Sequence, residues 1–126
     1  PGDIVFDVGA GIGSWTYMVH KDVPGVNFYL FEPLTQAVEI LKKYANIPNI
    51  RLFQQAFSHQ KGLSDFYYYP FESGDLSSLY KRDRLEATSG LFCKKIQVIT
   101  DTLDNFCNDH AIDHIHFLKM SAEGAE

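Results

Sequence analysis

The residues best suited to chemistry lie at one strand-to-helix junction. Asp7-Val8-Gly9-Ala10-Gly11-Ile12-Gly13 follows an apolar run and precedes a helical pattern. Glycines there allow a tight turn and let a ligand approach the backbone with no Cβ in the way. The N–H groups that open the next helix can face the same space. Asp7 stands two positions before the first glycine. Glu32 ends the next apolar run, where an acid can bind both ribose hydroxyls of a nucleoside. Each acid also has a plainer reading. Glu32 suits a helix N-cap before Pro33, and Asp7 suits a solvated strand end. An acid inside Ile-Val-Phe-Asp-Val, however, is costly to bury without a partner, so both are read as ligand contacts.

Two nucleoside ligands compete for this loop. A nicotinamide dinucleotide favours Gly-x-Gly-x-x-Gly, with its pyrophosphate on the helix N-terminus, and the third such position here is Ser14. S-adenosylmethionine has no phosphate but carries an α-amino group, for which Asp7 is a partner. The acid tips the reading towards S-adenosylmethionine.

The surrounding pattern supplies the scaffold. Ile4 to Val8 reads as a buried strand. A helix follows with Ile12, Trp15, Met18 and Val19 on one face, ended by Pro24-Gly25. Val26 to Phe31 is a second strand. Pro33 sits as a first-turn proline, and Leu34, Ala37, Val38, Leu41, Tyr44 and Ala45 give the clearest helical period. Ile50 to Gln54 begins a third strand. This alternation predicts an open, mostly parallel α/β sheet of Rossmann-like type with flanking helices. Gly62 to Tyr69 and Lys95 to Ile99 read as further strands, with Phe71 to Gly90 irregular between them. Asp101 to Asn108 reads as a short helix capped by Thr100 or Asp101, and His114 to Met120 as a fourth core strand.

Composition narrows the classes. The chain of 126 residues fits one domain, 1–126, with 45% hydrophobic and 21% charged residues. A net charge of -5 argues against nucleic acid as the main partner. Cys93 and Cys107 lack a C-x-x-C or matching His pattern and are expected to be free thiols in a cytoplasmic protein. No run reaches membrane-spanning length, so no membrane partner is expected. His114 and His116 would share a strand face, half a metal site with no third ligand, so no metal is expected. The aromatic group Phe66, Tyr67, Tyr68, Tyr69 and Phe71 reads as packing.

With the loop at Asp7 to Gly13, Phe31-Glu32-Pro33 and the terminal Leu118-Lys119-Met120-Ser121-Ala122-Glu123-Gly124-Ala125-Glu126, the sequence resembles the FkbM family of S-adenosylmethionine-dependent methyltransferases. Gln55-Ala56-Phe57-Ser58 with Gly62, the paired Ser77-Ser78, and Thr100-Asp101-Thr102-Leu103-Asp104 match further landmarks in the family's order. The resemblance implies cofactor contacts from Asp7, Gly9, Ala10, Gly11 and Gly13, ribose contact from Glu32, and Gln55 and Ala56 near the adenine. It implies methyl transfer to a hydroxyl of a small-molecule or carbohydrate acceptor. Lys119, Ser121 and Glu123 are its candidate catalytic positions. Where the family carries Lys-hydrophobic-Asp-x-Glu-Gly, this chain has Ser121 for the aspartate, and serine cannot act as a carboxylate base. Lys119 and Glu123 read equally as a strand-end lysine and a first-turn glutamate.

Two alternatives stay open on the residues: a nicotinamide-dependent oxidoreductase, and a catalytically inactive Rossmann binding module. The sheet is also expected to be truncated after its fourth core strand, leaving an apolar edge at His114 to Met120.

Overall fold

The computed structural model describes residues 2–68 and 94–121. Four parallel strands, β1 (Ile4–Val8), β2 (Asn27–Phe31), β3 (Ile50–Phe53) and β7 (Phe117–Met120), form the central sheet in the order β3-β2-β1-β7. Helices α1 (Ser14–Asp22) and α2 (Thr35–Leu41), the latter continued by a 3-10 turn at Lys42–Tyr44, join β1 to β2 and β2 to β3. The alternating βαβ pattern thus produces the predicted parallel sheet, and β1 is the strand from which the chain order departs in both directions.

A second sheet forms where the sequence rhythm loosens. Its strands β4 (Ala56–Phe57), β5 (Gly62–Tyr68) and β6 (Lys94–Asp101) run in the order β4-β6-β5, with β5 and β6 antiparallel from Gly62↔Thr100 to Tyr68↔Lys94. Phe66 of β5 and Val98 of β6 are buried with Leu34 and Ala37 beside α2, so packing does account for Phe66. Helix α3 (Leu103–Asp109) then leads towards β7.

Alternation along the central strands divides the core in two. Val5, Phe28, Leu30 and Ile50 face Leu41 of α2, with Trp15 and Val19 of α1 packed against them. Phe6, Val8, Tyr29 and Phe31 face the other way, onto Phe106 of α3 and Phe57 of β4. Both faces of the sheet are covered, which is why its strands read as unbroken apolar runs.

Several local expectations are corrected. Ile12 and Met18 are exposed, while Thr16 of α1 is wholly buried. Ile12 lies in the loop before the helix starts, and the Thr16 hydroxyl is drawn inward by a bond to Asp7. Pro33 precedes α2 by two residues instead of opening it, because the helix begins at Thr35. Thr100 and Asp101 belong to β6. The cap of α3 is Thr102, whose side chain accepts the Asn105 N–H. β7 begins at Phe117, after both histidines: the His116 ring turns aside and accepts the Ile4 N–H at 2.9 Å. β7 borders the central sheet, with Phe117 and Leu118 exposed.

Among the described residues, no helix is long and apolar enough to cross a membrane. Cys107 is a free thiol that packs partly buried against the α3 side of the core. Cys93, Tyr69 and the segment from Phe71 to Gly90, including Ser77 and Ser78, lie outside the described residues.

Candidate functional site

In open α/β sheets, ligands bind beyond the carboxyl ends of the strands where chain order reverses. Here that point lies between β1 and β7, and the glycine loop leaves β1 at this end. The loop is tied to its neighbours by a staircase of strand-end bonds. Gly9 and Ala10 N–H groups both donate to the Phe31 carbonyl, at 2.9 and 3.0 Å, and the Glu32 N–H donates to the Phe53 carbonyl at 3.1 Å. The Gly13 N–H donates back to Ala10 at 3.0 Å.

Glu32 closes the network. Its Oε1 accepts the Gly11 N–H at 2.8 Å and its Oε2 the Leu34 N–H at 3.0 Å. It is not the N-cap of α2, a position held by Leu34. The side chain is 6% exposed. Burial raises its pKa above the usual carboxylate range; the two N–H bonds pull it back, the Asp7 carboxylate adds to the rise, and Lys119 opposes it.

The three loop glycines have different reasons to be glycine, all at positive φ. A Cβ on Gly9 would stand 2.8 Å from the Ser121 carbonyl oxygen. One on Gly13 would stand 2.7 Å from Tyr44 Cε2 and 2.9 Å from Leu41 Cδ2. One on Gly11 would meet nothing within 4 Å. Gly9 and Gly13 therefore serve close packing, and Gly11 alone faces open space. We expect Gly11→Ala to cost about 1 kcal/mol from its left-handed backbone alone. Gly9→Ala should exceed it by at least about 1 kcal/mol because a backbone carbonyl must also move. Equal denaturation midpoints for the two variants would refute this division.

Asp7 is not a solvated strand end. It is 0% exposed, its Oδ2 accepts the Thr16 hydroxyl at 2.7 Å, and Lys119 Nζ lies 3.0 Å from its Oδ1. That second contact is an ion pair without the alignment of a hydrogen bond. The partner that an acid in this run requires is thus supplied from within the protein. Lys119 faces Asp7 directly in the β1–β7 register and also approaches the Gly9 carbonyl, at 3.5 Å. Ser121 donates its N–H to the Val8 carbonyl and is exposed beside the loop.

The structure therefore brings Asp7, Gly9, Ala10, Gly11, Gly13, Glu32, Lys119 and Ser121 into one network. Gln55 follows β3, two residues beyond the carbonyl that binds Glu32, and its Nε2 is buried with no hydrogen-bond partner. Ala56 packs with Leu34, Ala37, Phe66 and Val98 between α2 and the second sheet. Glu123 lies outside the described residues. The sequence reading missed Thr16; a hydroxyl within the expected apolar face of α1, following an acid on β1, was its signal.

Elsewhere, a groove of about 490 Å³ lies between α3 and the segment preceding β7, lined by Asp104, Cys107, Ile112 and His114 among others. It is on the amino-end side of β7, away from the strand ends where such sheets bind ligands. Among the described residues, no group of three or more His, Cys, Asp or Glu is placed to hold a metal. His116 is engaged by Ile4 and lies 3.6 Å from Asp3.

The Methyltransferase FkbM domain profile matches residues 7–126, from the acid of β1 through the strand that carries Lys119. The chain belongs to the FkbM methyltransferase family. A curated relative, 31-O-demethyl-FK506 methyltransferase FkbM from Streptomyces tacrolimicus, is 38% identical over 72 residues. The match covers 56% of this chain and 28% of that relative, so this chain aligns with less than a third of the relative's length. No solved structure matches.

Proposed function

We propose that this FkbM-family chain binds S-adenosylmethionine across the carboxyl ends of β1, β2 and β7, and that the protein transfers its methyl group to a hydroxyl of a small-molecule or carbohydrate acceptor. The observation that carries the reading is the Glu32 carboxylate, held at the mouth of an open-faced Gly11. Each of its oxygens accepts one backbone N–H and keeps further lone-pair capacity, which suits the paired hydroxyls of a ribose. Gly11 lets the ligand approach the backbone, and the buried Gln55 amide is a donor lacking an acceptor, which an adenine ring nitrogen would supply.

The same contacts disfavour a nicotinamide dinucleotide. The Gly11 N–H is already taken by a carboxylate, so a pyrophosphate would meet negative charge where it needs a donor. When bound, S-adenosylmethionine supplies a methyl group activated by its sulfonium. The chain's own contribution is to position the ligand and exclude alternatives to in-line approach. Ser121 can hydrogen-bond an acceptor hydroxyl but cannot take its proton as a carboxylate would, so this reading relies on the activated donor. The relative is named for a 31-O-demethyl compound, which supports an oxygen acceptor.

Titration calorimetry should detect S-adenosylmethionine and no nicotinamide dinucleotide; the reverse result overturns the reading. Glu32→Ala should weaken S-adenosylmethionine by at least about 1 kcal/mol through lost charge-assisted hydrogen bonds.

Acidity provides a second test. Ribose hydroxyls donate to the ionised acid, so affinity should fall as pH drops through the raised Glu32 pKa, above the usual glutamate range. Stability responds in the opposite sense. Folding favours protonated Glu32, so its contribution is full below the unfolded chain's carboxylate pKa and is lost as pH rises through the folded value. A Glu32→Gln protein with an unchanged acid limb in its binding profile would reject this assignment.

A further inference from the structure

We infer that Lys119 is the anchor for the ligand's α-carboxylate and that Asp7 acts through Lys119 as a positioning residue. This rests on the S-adenosylmethionine reading above but reverses the polarity that the sequence suggested, in which Asp7 receives the ligand's ammonium. An acid with 0% exposure presents no surface to a ligand, and both its oxygens are engaged, one by Thr16 and one by Lys119. Of the pair, it is the Lys119 side chain that reaches the surface beside the loop, at 22% exposed.

The placement of that ammonium is over-determined. Asp7 holds it from β1 at 3.0 Å, the Gly9 carbonyl lies at 3.5 Å, and the Trp15 ring lies beneath it with its centroid 6.0 Å away. An ammonium has three N–H donors. The Gly9 carbonyl takes one of them and the Asp7 contact is an ion pair, so N–H donor capacity remains for a ligand. Lys119 also stands one residue before the end of β7, at the switch point, where the amino-acid end of a nucleoside ligand lying on Glu32 by its ribose can arrive. Charge agrees with this arrangement. Asp7 and Glu32 together exceed Lys119 by one negative charge, and S-adenosylmethionine carries two positive groups and one negative.

The test compares S-adenosylmethionine with decarboxylated S-adenosylmethionine, which keeps the sulfonium and ammonium and lacks only the carboxylate. Binding to the purified protein is read by titration calorimetry. Lys119→Met should bind S-adenosylmethionine about tenfold more weakly, as expected for a lost charge-assisted bond. It should bind the decarboxylated compound within about twofold of the parent protein, since that contact was never made. If the single variant does not fold, Asp7→Asn combined with Lys119→Met removes both charges and should show the same selectivity. Equal loss for both compounds, or loss for neither, overturns the inference while leaving the S-adenosylmethionine reading intact. Failure of the parent protein to bind either compound overturns both.

Discussion

Lys119→Met should lower the unfolding free energy by about 3 kcal/mol, one of the two largest effects expected from a single substitution in this chain. The reason is the acid it leaves behind. Asp7 is fully buried, and the Thr16 hydroxyl, a neutral donor, would be its remaining side-chain partner. A buried carboxylate deprived of its cation bears a desolvation cost that was previously offset. The loss falls at the low end of the range for broken buried pairs because Lys119 is itself partly exposed and screened. Asp7→Asn in the same chain removes the uncompensated charge and should recover at least half of the loss. Urea denaturation of the parent, the two single variants and the double variant measures this directly. A double variant no more stable than Lys119→Met would show that the pair is not what stabilises this junction.

How much of this was legible from the sequence depends on whether the deciding partner was local. The strands β1 and β2 were readable because both faces of the sheet are covered, so Ile4 to Val8 and Val26 to Phe31 stand out as unbroken apolar runs. Helix α2 was readable because its period matches one packing face, with Leu34, Ala37, Val38 and Leu41 all buried. Glu32 was readable by type and position, as a strand-end acid near a glycine loop. The fate of Asp7 was not. Its partner Lys119 is distant in sequence and meets it only through the β1–β7 register. The same acid explains the misread face of α1, where Thr16 is buried because its hydroxyl donates to Asp7. The second sheet was visible as two strands but not as a sheet, since the antiparallel pairing of Gly62–Tyr68 with Lys94–Asp101 spans an intervening segment that carries no pairing signal.

The glycines show a related limit. Periodicity and spacing treat all three alike, as residues that allow a tight turn and the close approach of a ligand. Geometry leaves open space at Gly11 alone of the three, with Gly9 set by the Ser121 backbone and Gly13 by Tyr44 and Leu41. A glycine motif at a βα turn therefore mixes ligand access with ordinary packing. Only the direction of the missing Cβ separates them.

Phe106→Ala should cost about 3–5 kcal/mol of stability and yet leave S-adenosylmethionine affinity within about twofold, because its effect is confined to the opposite face of the sheet. The Phe106 ring lies edge-on to Phe31 at 4.9 Å, Phe53 at 5.0 Å, Phe6 at 5.8 Å and Phe57 at 5.8 Å, and stacks on His110 at 3.9 Å. It is the side chain through which α3 grips β1, β2, β3 and the start of the second sheet. Truncation removes those edge-to-face contacts and opens a cavity that rigid strands on one side cannot collapse to fill. Asp7 alternates with Phe6 along β1 and so projects towards α1, as the bond to Thr16 requires. The Asp7–Lys119 pair and the loop thus lie across the sheet from the cavity. Measured well below its melting temperature, the Phe106→Ala protein should bind as the parent does, whereas Lys119→Met should lose stability and affinity together. If Phe106→Ala also lost tenfold in affinity while remaining folded, the two faces of the sheet would be coupled, and the site could not be treated as the loop, Glu32 and Lys119 alone.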